Sequence, residues 1–305
     1  MARRFRSFAK INLGLEITGK LPNGYHQLKT IFATIGLHDI VEIATAKSGK
    51  SGVNVRTDHP DVPGNETNLA HRAAVAMQAL AGTNRGVAIR IEKRIPVGGG
   101  VGGGSSNAAT VLRALDRIWK LKLGTDGLLQ VAKTLGADVP YFLYGGPALG
   151  IERGDDIHPL DLKLTERLLL VPNDGGVSTA AVFRRFASQA RTPRKRSPID
   201  AFLRVVTSPR PATQASRRLV NDLETAALAE SPRLAEISRQ VRRVAKSTGA
   251  IRAAMSGSGS TFFLIHADTD SRRAAAAALS RDGIKTIASA FISRAAYENR
   301  FEIRA

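Results

Sequence analysis

The chain has 305 residues, 43% of them hydrophobic, enough for a substantial core and, at about 150 residues per domain, for roughly two domains. Its 45 Lys and Arg against 26 Asp and Glu give a formal charge of +19, which points to anionic partners. The absence of cysteine excludes disulfides, thiolate-bound zinc, iron–sulfur clusters and thiol catalysis.

No apolar run approaches the ~18 residues of a membrane span. The opening Met-Ala-Arg-Arg-Phe-Arg-Ser-Phe is basic but lacks the apolar stretch of a secretion signal, so a soluble cytoplasmic protein is expected. Asn12–Thr18 alternates, with Leu13, Leu15 and Ile17 on one face, and predicts a strand. Asn23-Gly24 follows as a hairpin turn, because both positions tolerate positive φ. Further strands are expected over Gln27–Ile35, Asp39–Ala46, Val53–Arg56 and Val87–Lys93, with an Ala-rich helix over Asn68–Leu80 that Thr67 caps. After a glycine-rich run, Ala108–Trp119 carries a helical apolar stripe. Strands over Ala148–Ile151 and Arg167–Pro172 flank a domain boundary near residue 160.

In the second half, helices are predicted over Ser178–Phe186, Arg217–Leu228, Pro232–Thr248 and Ser271–Arg281. Strands are predicted over Ala250–Met255, Phe262–Ile265 and Lys285–Ser293. The strand–helix order suits an α+β sandwich. The positive charge concentrates here. Residues 181–218 hold ten basic side chains against Asp200 alone, and with Pro193, Pro198, Pro209 and Pro211 read as a loop-rich excursion; residues 233–252 hold six against Glu236. With 5% aromatic residues overall and none among Arg194–Arg196, the pattern reads as solvated surface rather than a stacking platform for nucleic acid.

The informative segment is Pro96-Val97-Gly98-Gly99-Gly100-Val101-Gly102-Gly103-Gly104-Ser105-Ser106, set between a strand and an amphipathic helix. Six glycines in seven residues free the backbone to approach a ligand, and its N–H groups, together with those opening the helix, favour phosphate. No Gly-Lys-Ser/Thr follows, so this is not a Walker loop. The G-x-G-x-x-G pattern is met trivially by such a run, and no acid-tipped strand follows the helix as dinucleotide binding requires.

This run, continued by Asn107-Ala108-Ala109, resembles the ATP-phosphate loop of the GHMP kinases, the small-molecule kinases related to galactokinase and mevalonate kinase. Ala9-Lys10-Ile11-Asn12-Leu13-Gly14-Leu15 with Gly24-Tyr25-His26-Gln27-Leu28, Gly136-Ala137-Asp138-Val139-Pro140-Tyr141-Phe142-Leu143, Asn221-Asp222-Leu223-Glu224 and Met255-Ser256-Gly257-Ser258-Gly259-Ser260-Thr261 narrow the resemblance. They are similar to the signatures of those members whose acceptor is a cytidine-diphosphate-linked methylerythritol. The chain departs from that pattern at Asn23, where Asp is usual, at Leu21 for Arg and at Val101 for Leu; residues 181–218 match poorly.

The resemblance implies a two-domain α+β GHMP fold: a mixed sheet-and-helix domain over residues 1–160 and a ferredoxin-like α/β sandwich over 161–305. It implies phosphoryl transfer from ATP, with Mg2+, to an acceptor alcohol, in a monomer or homodimer that binds neither membrane nor nucleic acid. Asp138 would accept the hydroxyl proton, although its place before an apolar run also suits a helix cap. Lys10 would pair with Asp138, and Asn12, two residues along the same strand face, would help hold the acceptor. Tyr25, His26 and Phe183 would hold a cytosine ring, and Gly257 and Ser258 would close the site. The six histidines are scattered and no metal ligand set is evident. The rival readings are another GHMP kinase acting on homoserine or mevalonate, a basic nucleic-acid-binding protein, and an NAD-dependent oxidoreductase.

Overall fold

The computed structural model describes residues 2–22, 24–46, 51–173, 175–189, 194, 196–206 and 212–304. The first half opens with β1 (Arg3–Lys20) and β2 (His26–Thr45), which pair antiparallel along most of their length. Both are longer than the sequence pattern predicts. In β1, Ser7–Glu16 is buried without interruption. Its apolar alternates face one layer, while Lys10, Asn12 and Glu16 are also enclosed, so burial falls on both faces rather than one. The hairpin closes through Leu21 N–H to Tyr25 O, 2.7 Å, with Gly24 at φ +84°; Asn23 lies outside the described residues.

β3 (Val53–Thr57), β4 (Val87–Glu92), β5 (Ala148–Ile151) and β6 (Asp156–Pro159) complete this sheet, together with a final strand from the chain's end. Only β3 and β4 run parallel. Helices α1 (Leu69–Leu80), α2 (Gly103–Trp119), α3 (Gly124–Leu135) and α4 (Tyr141–Tyr144) cover one face and bury a core of Val41, Ile43, Ile89, Leu112, Leu115 and Phe142. The cap of α1 is Asn68, whose Oδ1 accepts from Ala70 N–H at 2.8 Å; Thr67 instead donates to Asn65 Oδ1. Helix α3 went unpredicted because two glycines dilute its apolar stripe.

The second half forms a four-stranded antiparallel sheet in the order β10-β7-β9-β8, made by β7 (Arg167–Val171), β8 (Arg252–Met255), β9 (Phe262–His266) and β10 (Ile287–Ala290). This order gives the ferredoxin-like sandwich. Leu168, Leu170, Phe263 and Ile265 pack against Ile11, Leu13, Ile31 and Ala33 of the first sheet. Leu169, Val171, Phe262 and Leu264 point the other way, onto α5 (Thr179–Ser188), α8 (Glu224–Glu230), α9 (Pro232–Ser247) and α10 (Thr269–Arg281). The layers thus run helix, sheet, sheet, helix.

Two connecting pieces differ from expectation. Pro198–Val206 is a helix, α6, where the prolines and charges suggest loop. The helix expected over Arg217–Leu228 is broken: α7 (Ala212–Ser216) ends before it, and α8 begins at Glu224. The intervening Asn221 bridges to Leu15 of β1, and that pairing holds the segment extended. Finally α11 (Arg294–Asn299) and β11 (Glu302–Ile303) return to the first sheet, where β11 pairs with β1.

Candidate active site

β1 and β2 change register between Phe8 and Lys10 and again between Asn12 and Gly14. Such bulges re-aim side chains, and between these two lie Lys10 and Asn12. The Lys10 side chain is 4% exposed. Its Nζ donates to Asn12 Oδ1 at 2.8 Å, stands 3.2 Å from Asp138 Oδ2 and lies 5.4 Å from the Phe32 ring centroid. Asn12 Nδ2 donates to Thr30 Oγ1 at 2.7 Å, which in turn donates to Gly14 O. The amide is therefore fixed with its oxygen toward the lysine.

Asp138 precedes α4 but does not cap it; the cap position is Pro140, with no side-chain bond. The carboxylate, 35% exposed, is presented to the cleft instead. Its segment is anchored from below by Tyr141, which stacks on Phe32 at 4.6 Å and donates to Gly146 O at 2.7 Å. That leaves Thr34 Oγ1 as donor to the Tyr141 oxygen, 2.7 Å away. Burial pushes the Tyr141 phenol far above its usual range, so it stays a neutral donor.

The glycine run bends into the start of α2, which opens at Gly102 with no side-chain cap. Its first N–H groups are thus left for a ligand. Gly98, Gly100 and Gly102 all have φ near +70°. A Cβ on Gly100 would lie 2.6 Å from Gly259 O, and nearer still to Ser256 O. The loop is thereby clamped to the 256–261 turn, with Ser256 Oγ donating to Gly100 O at 3.0 Å and Thr261 N–H to Gly99 O at 3.1 Å.

Beneath the loop is a network the sequence did not reveal. Buried Asp39 pairs with Lys93 and accepts from Arg94 N–H, Ile95 N–H and Asn107 Nδ2. It fixes both strands of chain that enter and leave the glycines.

Two cavities meet at this loop. One of about 320 Å3 is lined by Pro63, Asn68, Lys93, Pro96 and Val97 and by loop residues through Ser105. The other, of about 330 Å3, is lined by Lys10, Asn12, Asp138, Phe183, Gly257 and Ser258 among others. Gly100 and Ser105 line both. Ser106 does not take part: its Oγ accepts from Ser7 and donates to Phe8 O, and its N–H bonds Gly102 O. Its hydroxyl hydrogen is spent on bracing α2 against β1.

At the second cavity, Phe183 packs against His26, 5.2 Å between centroids with the rings tilted by 34°, and Phe186 lies edge-on at 5.7 Å. Burial, assisted by Lys20, lowers the proton affinity of His26, so at neutral pH it offers one donor and one acceptor. Tyr25 is 61% exposed at the rim, with Arg153 over its ring at 5.7 Å. Sequence reading missed Arg153, Thr30 and Thr179, whose Oγ1 meets Ser258 Oγ at 2.8 Å. Each lies outside a recognisable motif.

The comparisons with known proteins fall on this same frame. Residues 68–146 match the model of the GHMP kinases N-terminal domain, and residues 212–285 that of the GHMP kinases C-terminal domain. A 4-diphosphocytidyl-2-C-methyl-D-erythritol kinase of Pelotomaculum thermopropionicum is 37% identical over 269 residues, 88% of this chain and 91% of that protein. The chain belongs to the GHMP kinases, in their 4-diphosphocytidyl-2-C-methyl-D-erythritol kinase branch. A second member of that branch, from Chlorobium chlorochromatii, is 38% identical over 86% of this chain and 88% of its own. The crystal structure of a 4-(cytidine 5'-diphospho)-2C-methyl-D-erythritol kinase superposes with a TM-score of 0.75, at 34% identity, over 95% of this chain and 99% of that one. A homoserine kinase of Cytophaga hutchinsonii superposes as well, TM-score 0.75, but at 17% identity it shares the fold alone. This GHMP kinase is therefore a small-molecule kinase, and its loop, lysine and aspartate occupy one cleft between the two sheets.

Proposed function

We propose that the enzyme transfers the γ-phosphoryl of ATP to the 2-hydroxyl of 4-diphosphocytidyl-2-C-methyl-D-erythritol, a step of the non-mevalonate (MEP) isoprenoid route. The observation that carries this reading is the Lys10–Asp138 pair, 3.2 Å apart at the junction of two cavities that share Gly100 and Ser105. One cavity then takes the nucleotide, the other the acceptor, and the transferred group crosses at the loop. Residues 1–160 and 161–305 are read as two domains that frame the cleft.

In this mechanism Asp138 accepts the acceptor's hydroxyl proton as the new P–O bond forms and the bond from the γ-phosphorus to the β–γ bridging oxygen breaks, that oxygen leaving with ADP. Lys10 holds the carboxylate and the attacking oxygen in place, and Asn12 fixes Lys10. Residues Pro96–Ser105 cradle the phosphates, with the open N-terminus of α2 stabilising charge on them. Tyr25, His26 and Phe183 hold the cytosine, while Gly257 and Ser258 border the acceptor chain.

The residues present suit a metal held mainly by the nucleotide. The loop offers the Ser105 hydroxyl, and among the described residues no cluster of three acidic or histidine side chains exists. Mg2+ commonly keeps waters and phosphate oxygens as most of its ligands. When bound it neutralises charge on the phosphates.

A panel of acceptors tests the reading. Acceptor-dependent ADP release is expected with 4-diphosphocytidyl-2-C-methyl-D-erythritol, with 31P NMR placing the new phosphate on the 2-hydroxyl. Turnover of homoserine or mevalonate at higher kcat/KM would contradict it.

A further inference from the structure

Most of the chain's positive excess lies in residues 181–218 and 233–252, and the proposed chemistry uses none of it. The fold gathers part of it at one place. A further cavity of about 370 Å3 is lined by Arg194 and Arg217 from the first stretch, Arg242 and Arg252 from the second, and Asp222 and Glu224. It shares no lining residue with the acceptor cavity, although Leu223, between the two acids, lines the latter. The segment 221–224 is thus a wall between the two.

The charges in this cavity do not cancel. Arg194 pairs with Asp222 at 2.6 Å and Arg242 with Glu224 at 2.5 Å. Arg217 and Arg252 have no carboxylate of their own among the described residues. Arg252 is 7% exposed; its Nη1 donates to Ser216 O and Leu219 O, both at 2.7 Å, while its Nε has no hydrogen-bond partner among the described residues. Burial lowers its pKa to about 10, so it remains a cation at neutral pH. The fold thus holds the Arg252 cation with two backbone carbonyls and no carboxylate, and leaves its buried Nε without an acceptor.

We propose that this cavity is a second anion site, which takes the diphosphate group of a small molecule. Guanidinium forks match phosphoryl oxygens bidentately, and two uncompensated cations suit an anion of more than one charge. The volume falls in the usual ligand range of about 300–1,000 Å3. A nucleic acid is disfavoured, because among the described residues no aromatic side chain lines the cavity and two of the four arginines there are already paired. The wall also carries Asn221, whose Nδ2 donates to Met255 O and Gly257 O and so holds the acceptor-side turn.

Calorimetric titration of the full chain with inorganic diphosphate tests this, at fixed ionic strength and with a non-hydrolysable ATP analogue saturating. One diphosphate per chain is expected to bind, at least tenfold tighter than inorganic phosphate. Arg217→Glu, on an exposed side chain, and Arg252→Lys, which keeps the charge and loses the fork, are each expected to weaken it at least tenfold. Bound diphosphate is expected to be displaced by a nucleoside diphosphate or an alkyl diphosphate, and the more effective of the two identifies the carrier. The proposal is overturned by no binding, by equal affinity for phosphate, by both variants binding as wild type, by displacement with neither carrier, or by stronger displacement with single-stranded RNA.

Discussion

Gly100→Ala tests whether the glycine loop is held by contact with the 256–261 turn. Ala at φ +71° pays the left-handed cost, about 1–2 kcal/mol. Its Cβ would also stand 2.6 Å from Gly259 O and nearer still to Ser256 O, where ordinary contact begins at 3.4 Å, so the two loops must part by at least 0.8 Å. The obstructing atoms are backbone carbonyl oxygens, and no rotamer change relieves them. Gly82→Ala is the control: φ is +58° but nothing lies within 4 Å of the added carbon, so only the left-handed cost applies. Parting the loops moves Gly100 relative to Lys10 and Asp138, and a displacement of about 1 Å costs roughly 100-fold in rate. Urea unfolding and acceptor-dependent ADP release read the two effects. Gly100→Ala is expected to lose more stability than Gly82→Ala and about 100-fold in kcat/KM, with Gly82→Ala near wild type in turnover. Equal stability losses in the two variants, with near wild-type turnover in Gly100→Ala, would refute the clamp.

Three further outcomes are expected. Phe183→Ala removes the ring packed against His26 and is expected to raise the acceptor KM about tenfold or more, with the KM for ATP unchanged, since stacking on a base contributes about 1–3 kcal/mol. Ser106→Ala removes the acceptor of the Ser7 hydroxyl and the side-chain donor to Phe8 O, though Asn107 Nδ2 still donates to Ser7, and is expected to cost about 1–3 kcal/mol in urea unfolding while the KM for ATP holds; a raised KM with unchanged stability would return Ser106 to the nucleotide. His266 is fully buried, neither ring nitrogen has a hydrogen-bond partner among the described residues, and burial holds its pKa below the ordinary value. Below about pH 6.5 the unfolded chain takes up a proton that the folded one refuses, so stability falls as the pH falls, by at most about 1.4 kcal/mol per pH unit for this one group. His266→Leu is expected to make that decline shallower, and an unchanged slope would show that His266 does not contribute.

Much of the site is written locally. The glycine run between a strand and an amphipathic helix predicts, through backbone freedom alone, the left-handed turns that Gly98, Gly100 and Gly102 make. The Lys10–Asn12 spacing places two polar groups on one strand face. What could not be read depends on distant contacts. Asp39 reads as an ordinary surface acid until Lys93, Arg94, Ile95 and Asn107 close around it. Ser106 reads as a loop hydroxyl until α2 starts at Gly103 and turns it onto β1. The break at Asn221 arises from pairing with Leu15, about two hundred positions earlier, against a local pattern that favours helix. The basic stretches likewise read as surface: three arginines, Arg185, Arg239 and Arg243, do pair outward with Glu230, Glu236 and Asp282, but four others converge on one cavity.

In the proposed mechanism Asp138 and Lys10 act together on the acceptor hydroxyl. The direct measurement is kcat for ADP release with saturating ATP and 4-diphosphocytidyl-2-C-methyl-D-erythritol, for wild type, Asp138→Asn and Lys10→Ala, each checked for folding by circular dichroism. Each variant is expected to lose roughly 100- to 10,000-fold in kcat, the range of a positioned acid–base group. Near wild-type kcat in both would contradict the pair's role.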